Sequence, residues 1–246
     1  MAGLEPQVRV YQNPEVLAHA AATLFADTSN DAIAKRGVFR TCLSGGKTPE
    51  HLYSLLAQRP YRDLISWPLL HAFWGDERCV PAEDLNNNYR QARELLLSHV
   101  PVPMENIHRV RTELDPELAA EDYALVLRRN AQPPLEWPRF DLILLGLGDD
   151  GHTASLFPGI PLDLKKPAMA VQAATANPPG WRVTLTPEVL NAGRRVVFLV
   201  QGAEKSRIVA NVLYGGAETG QLPAKSIRPV DGELIWLLDQ GAAANN

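Results

Sequence analysis

The chain has only two cysteines in 246 residues, Cys42 and Cys79. They stand apart, with no Cys-x-x-Cys pair and no cysteine–histidine cluster at zinc-finger spacing. Neither a disulfide framework nor a structural zinc module is encoded, and the two thiols read as packing residues of a reduced compartment. Long apolar runs are missing too, and none approaches the roughly 20 residues of a membrane-spanning helix. The segment from Met1 to Val10 carries Glu5 and Pro6 and lacks the apolar stretch of a secretory signal. The expected location is therefore cytoplasmic. There is no basic excess: the net charge of −4 gives no support to a nucleic-acid or membrane partner. A basic site within an acidic protein, and so an anionic small molecule, stays open. No His/Asp/Glu set has metal-site spacing, and His51 and His99 read as helix-surface residues.

What is present is ordinary for a globular protein: 46% hydrophobic and 21% charged residues, in a chain long enough to bury a core without disulfides or metal. One domain spanning residues 1–246 is expected. Residues 14–34 read as an amphipathic helix behind Pro14, with Val16, Leu17, Ala20, Ala21, Leu24 and Phe25 at helical spacing. Val38 to Leu43 reads as a strand, and a helix is expected to follow with Thr48 as N-cap and Pro49 at the first helical position. Leu69 to Trp74, Asp141 to Leu145, Val196 to Val200 and Glu233 to Asp239 read as further strands. Helices are expected near Asn88 to Leu97, Pro116 to Arg129 and Ala203 to Leu213. Strands alternating with helices predict an α/β fold: an open, mainly parallel, Rossmann-like sheet with helices on both faces, in three layers. In such a sheet ligands bind outside the carboxyl ends of the strands. The chemically unusual segments sit at those ends: Ser44-Gly45-Gly46, Asp76-Glu77-Arg78, Asp150-Gly151-His152, and Gly202 with Lys205.

Ser44-Gly45-Gly46-Lys47-Thr48-Pro49 has the makings of an anion cradle, because glycines admit a ligand close to backbone N–H groups and the next helix offers its positive end. It is not a nucleotide P-loop, which needs glycine where Thr41 stands. Gly146-Leu147-Gly148-Asp149-Asp150-Gly151 matches Gly-x-Gly-x-x-Gly in form. Asp149 and Asp150 would repel a pyrophosphate, however, and no ribose-binding acid appears near Ala170-Val171-Gln172, so a nicotinamide-dependent dehydrogenase is disfavoured. Asp150-Gly151-His152 pairs a histidine suited to proton transfer near neutral pH with an acid able to orient its ring. Asp76-Glu77-Arg78 puts two acids and a base at another strand end, where a solvated charged turn is the commoner case. Lys205 near a helix start opposes the helix dipole, a cost that an anionic ligand offsets.

Together these segments resemble the family of 6-phosphogluconolactonases and glucosamine-6-phosphate deaminases. The resemblance runs from the first helix to the last strand. It is carried by Leu43 to Pro49, by Trp74 to Pro81 with Asn87-Asn88-Tyr89, and by Leu145 to Pro158. Arg182 to Thr186, Gly202 to Lys205 and Leu222-Pro223-Ala224 fit as well. The deaminase branch follows its Asp-Gly-His with a run containing a glutamate. Here the run is Thr153-Ala154-Ser155-Leu156-Phe157-Pro158, with Phe157 in that place, as in the lactonase branch; Arg78 favours the same branch. Lys47 departs from the family, which more often has serine there. The resemblance implies hydrolysis of 6-phospho-D-glucono-1,5-lactone in the oxidative pentose phosphate pathway. His152 would be the general base and Asp150 its orienting partner. Arg78 and Lys205 would hold the phosphate, Ser44, Gly45, Gly46 and Thr48 would line the pocket, and Asp76 and Arg182 would complete the substrate contacts. Neither a metal nor an organic cofactor is expected, and the assembly is expected to be a monomer or small homo-oligomer. The rival readings are an amino-sugar isomerase and a catalytically silent sugar-phosphate sensor.

Overall fold

The computed structural model describes residues 5–161, 163, 165–174, 176–216 and 222–245. The elements in chain order are β1 (Gln7–Tyr11), α1 (Pro14–Arg36), β2 (Phe39–Leu43), α2 (Lys47–Leu56), α3 (Tyr61–Leu64), β3 (Leu70–Trp74), β4 (Asp76–Arg78), α4 (Asn88–Ala92), α5 (Pro116–Arg129), β5 (Leu142–Leu145), β6 (Ala168–Ala173), β7 (Gly180–Leu185), α6 (Pro187–Asn191), β8 (Arg195–Val200), α7 (Ser206–Tyr214) and β9 (Glu233–Asp239).

Six strands form a parallel sheet in the order β1-β9-β8-β5-β2-β3. Its central strands alternate their side chains between two cores. Leu142, Leu144, Val197, Leu199, Ile235 and Leu237 pack with Phe25 of α1 and Leu52 of α2 on one face. Ile143, Leu145, Val196, Phe198, Trp236 and Leu238 pack with Tyr123 of α5 and Val209 of α7 on the other. Strands buried on both sides are continuous apolar runs, which is why β5 and β8 were legible as strands. The expected three-layer, mainly parallel α/β architecture is the observed one. A second, three-stranded antiparallel sheet, β4-β7-β6, is an addition that the hydrophobic pattern did not indicate.

Two local readings need correction. Thr48 is not the N-cap: α2 begins two residues earlier than expected, at Lys47, with Gly46 in the capping position at φ 107° and no side-chain cap. A positive φ suits glycine, so the turn after β2 closes sooner than a threonine cap would allow. The segment after Asn88 is not one α-helix: α4 passes into a π-helical turn over Arg93–Leu97.

Chain order places the site. From β2 the chain steps to β3 on one side, whereas β5 lies on the other, so the crevice between the ends of β2 and β5 is where strand order reverses. At the opposite edge, Asp141 lies just ahead of β5 and is 3% exposed. It accepts the Arg40 N–H at 2.9 Å and pairs with Arg36 at 2.8 Å and Arg194 at 3.4 Å.

Candidate active site

A cavity of about 610 Å³ opens at the carboxyl edge of the parallel sheet. All ten residues singled out from the sequence line it: Ser44, Gly45, Gly46, Thr48, Asp76, Arg78, Asp150, His152, Arg182 and Lys205.

The floor comes from the turn after β2. Tyr53 of α2 donates its hydroxyl to Ser44 O at 2.6 Å and accepts the Ser44 N–H at 3.1 Å, which pins the backbone of the turn. Gly46 N–H donates to Gln91 at 3.1 Å. With no side-chain cap on α2, the first-turn N–H groups of Lys47 and Thr48 face no capping oxygen, the arrangement that favours an anion.

The charged run Asp76-Glu77-Arg78 is strand β4, not a solvated turn. Glu77 is 1% exposed and accepts three backbone N–H groups, from Arg78 at 2.8 Å, Asn88 at 2.7 Å and Tyr89 at 2.8 Å. Burial pushes its carboxyl up to about 7, against the pull of those three donors. Its place is structural: it ties the start of α4 to β4, which accounts for Asn87-Asn88-Tyr89 keeping company with Asp76-Glu77-Arg78. Asp76 faces the cavity, and its Oδ2 accepts the Ser155 hydroxyl at 2.6 Å. Ser155 lay within a recognised motif, but a contact across 79 residues leaves no local sequence signal.

Arg78 and Arg182 are direct cross-strand partners in the β4–β7 ladder. Like charges directly opposite are unfavourable unless an anion lies between or above them. Arg182 is 4% exposed; one end of its guanidinium donates to Pro178 O at 2.7 Å, and Nε has no partner among the described residues. Burial lowers its pKa, Asp76 opposes that shift and Arg78 adds to it.

The loop after β5 holds Asp150 and His152. Asp150 Oδ1 accepts the His152 backbone N–H at 3.0 Å and lies 2.5 Å from His152 Nδ1. Burial opposes ionisation of Asp150, but the backbone bond and the charge of His152 together hold its carboxyl below the ordinary range. The imidazole sits directly against Gly148, where a Cβ would come within 2.1 Å of its ring atoms. Only glycine leaves room for the ring there. Phe157 packs its ring 4.5 Å from that of His152, giving the imidazole an apolar wall. Lys205, in the turn after β8, donates from Nζ to Leu147 O at 2.8 Å and to Asp149 Oδ1 at 2.6 Å. Neither Asp149, the partner of Lys205, nor Ser155 is among the site residues expected from the sequence.

Among the described residues no group of three or more His, Cys, Asp or Glu side chains is placed to hold a metal ion, and no helix is long and apolar enough to cross a membrane.

Fold and site thus define a doubly wound α/β protein with a polar, charge-balanced cavity at the strand-order reversal. Residues 12–236 match the model of the glucosamine-6-phosphate isomerases/6-phosphogluconolactonase family, and the chain belongs to that family. It is 42% identical over 245 residues to a 6-phosphogluconolactonase from Synechocystis sp., covering 98% of this chain and 99% of that one. A solved 6-phosphogluconolactonase from Trypanosoma brucei is 31% identical, with a TM-score of 0.84 and 98% of both chains covered. A monomeric glucosamine-6-phosphate deaminase shares the fold, with a TM-score of 0.81 at 21% identity over 98% of this chain and 100% of its own.

Proposed function

We propose that the protein is a carboxylic ester hydrolase that opens 6-phospho-D-glucono-1,5-lactone to 6-phosphogluconate, with the whole activity carried by one cytoplasmic domain over residues 1–246. The observation that carries this reading is the meeting of the Asp150–His152 pair with Arg78, Arg182, Lys205 and the uncapped start of α2 in one cavity. Asp150 engages Nδ1 and leaves Nε2 as the base. Nε2 takes a proton from water as the water oxygen bonds to the lactone carbonyl carbon. Cations or backbone N–H groups of the wall stabilise the oxyanion. The intermediate then collapses with cleavage of the bond to the ring oxygen, which receives the proton back from His152. Arg78, Arg182 and Lys205, with Ser44, Gly45, Gly46 and Thr48, hold the phosphoryl group, and Asp76 meets sugar hydroxyls. A lactone is an activated ester, so this route calls for no metal or organic cofactor.

The runner-up, deamination of an amino-sugar phosphate, needs ring opening and a proton shuttled between neighbouring carbons, hence a second placed acid or base. Phe157 fills the position where the deaminase branch places that group, and it packs against His152. Purified protein assayed on both substrates is expected to consume the lactone faster than its spontaneous hydrolysis and to release no ammonia from glucosamine 6-phosphate. Efficient ammonia release, with lactone loss no faster than the blank, would install the deaminase instead. A silent sensor would show neither.

Phosphate recognition has its own test. Truncating Arg78 or Lys205 to Ala removes a charge-assisted bond of roughly 1.5–3 kcal/mol, so kcat/KM is expected to fall about 10- to 100-fold on the phosphorylated lactone. On the unphosphorylated lactone the change should be small. Equal losses on both substrates would move these side chains to the reaction centre or the fold.

A further inference from the structure

We propose that Asp149 is a competitor built into the substrate site: it holds Lys205, and a phosphoryl group has to displace it. The inference rests on the assignment of Lys205 to the phosphoryl group made above. Lys205 closes the short turn Ala203–Lys205 after β8, and its ammonium reaches across to the segment after β5. An ammonium has three N–H donors. One goes to Leu147 O and one to Asp149 Oδ1, at 2.8 and 2.6 Å.

The two acceptors differ in kind. Leu147 is 7% exposed, and its carbonyl fixes where the ammonium stands. The Asp149 side chain is 82% exposed, against 22% for Lys205. A carboxylate that open to water keeps most of its hydration, and such a pair is weak and readily exchanged. Asp149 is therefore the ligand that leaves, while the carbonyl keeps Lys205 in place.

What displaces it is set by charge. A phosphate monoester carries about −1.5 to −2 near neutral pH, as phosphorylated side chains do, whereas the carboxylate carries one charge. A doubly charged anion outcompetes Asp149, and a singly charged one meets an equal rival. Asp150 and Glu204 also line the cavity and add to that discrimination. Asp149 thus lowers affinity for every anion at Lys205, and it lowers affinity for monoanions most. It is a specificity-determining residue that contributes no contact to the bound substrate.

The test is binding of inorganic phosphate, by calorimetry at fixed low salt, to wild type, Asp149→Asn, Lys205→Ala and the double variant. Asp149→Asn is expected to bind phosphate about two- to fivefold more tightly, the scale of an exposed ion pair. In the Lys205→Ala background the same change should gain far less. Asp149→Glu should keep the wild-type affinity, and circular dichroism checks each fold. Unchanged or weaker binding by folded Asp149→Asn overturns the proposal. So does a gain that persists in full without Lys205, which would mark a diffuse field effect rather than competition. If Lys205→Ala leaves phosphate affinity unchanged, the assignment of Lys205 falls and takes this proposal with it, while lactone hydrolysis stands or falls on its own assay.

Discussion

Replacing His152 with Gln is expected to lower kcat for lactone hydrolysis by about 10²- to 10⁴-fold, the usual weight of a general base. The ring is held from three sides: Asp150 engages Nδ1 and the backbone N–H, Gly148 lies flush beneath it, and Phe157 walls it off. That degree of fixation matches a group whose orientation counts in the transition state. Glutamine is similar in reach and can still hydrogen-bond Asp150, so the loop is expected to stay folded. It cannot take a proton from water near neutral pH. The rate must be corrected for spontaneous opening of the lactone and accompanied by a circular dichroism spectrum. A folded variant retaining more than about a tenth of wild-type kcat lies well outside the general-base range, and the base would then be another cavity group, with Asp76 the first to try.

The second large effect concerns stability and lies at the far edge of the sheet. Among the described residues Asp141 is the one acid paired with the guanidinium groups of Arg36 and Arg194, and it also accepts the Arg40 N–H. Burial lowers the pKa of Arg40, Asp141 opposes that shift and Arg36 reinforces it. Removing one partner of a buried ion pair leaves the others uncompensated, so Asp141→Ala is expected to cost about 3–5 kcal/mol. For a chain of this size that corresponds to a fall in Tm of roughly 6–20 °C. Asp141→Asn keeps an oxygen for the Arg40 N–H and should lose less. Urea and thermal unfolding measure both, and a loss below about 1 kcal/mol for Asp141→Ala would show that the arginines find other partners or water at little cost. Activity per folded molecule should be unaffected, since the cavity lies at the other end of β5.

The parts of this molecule that were legible in advance share a physical origin. Strands β2, β3, β5, β8 and β9 are apolar runs because both faces are covered, and the glycine-rich and charged breaks after them fall at the ligand edge of any sheet of this class. The unread parts share one as well. β1 is a half-exposed edge strand, Gln-Val-Arg-Val-Tyr, with no long apolar run. β4 is Asp-Glu-Arg, and charged residues of that kind carry no strand signal; Glu77 is buried only because three N–H groups from elsewhere meet it. β6 is held by pairing with β7 and β7 by pairing with β6 and β4, and Arg182 on β7 is a buried cation in a stretch bounded by Pro178-Pro179. The site follows the same division. Ser44, His152 and Lys205 stood out by motif, whereas the Ser155–Asp76 bond and the Asp149–Lys205 pair exist only once distant loops are brought together.

The placement of β1 bears on how the chain comes to be assembled. Its hydrogen-bonding partner is β9, with Gln7 opposite Ile235 and Tyr11 opposite Asp239. During synthesis β1 emerges before every other strand of this sheet yet is the last to find its neighbour, because β9, which lies between it and the rest of the sheet, is made after all the others. Until residues 233–239 emerge, β8 presents an open apolar flank and β1 waits as an unpaired ribbon tethered to α1. Pairings so remote in sequence form slowly and leave sticky edges uncovered meanwhile. Truncation just before β9 should therefore yield a chain that collapses around β2, β3, β5 and β8 but is prone to clump, with its amino-terminal strand unplaced.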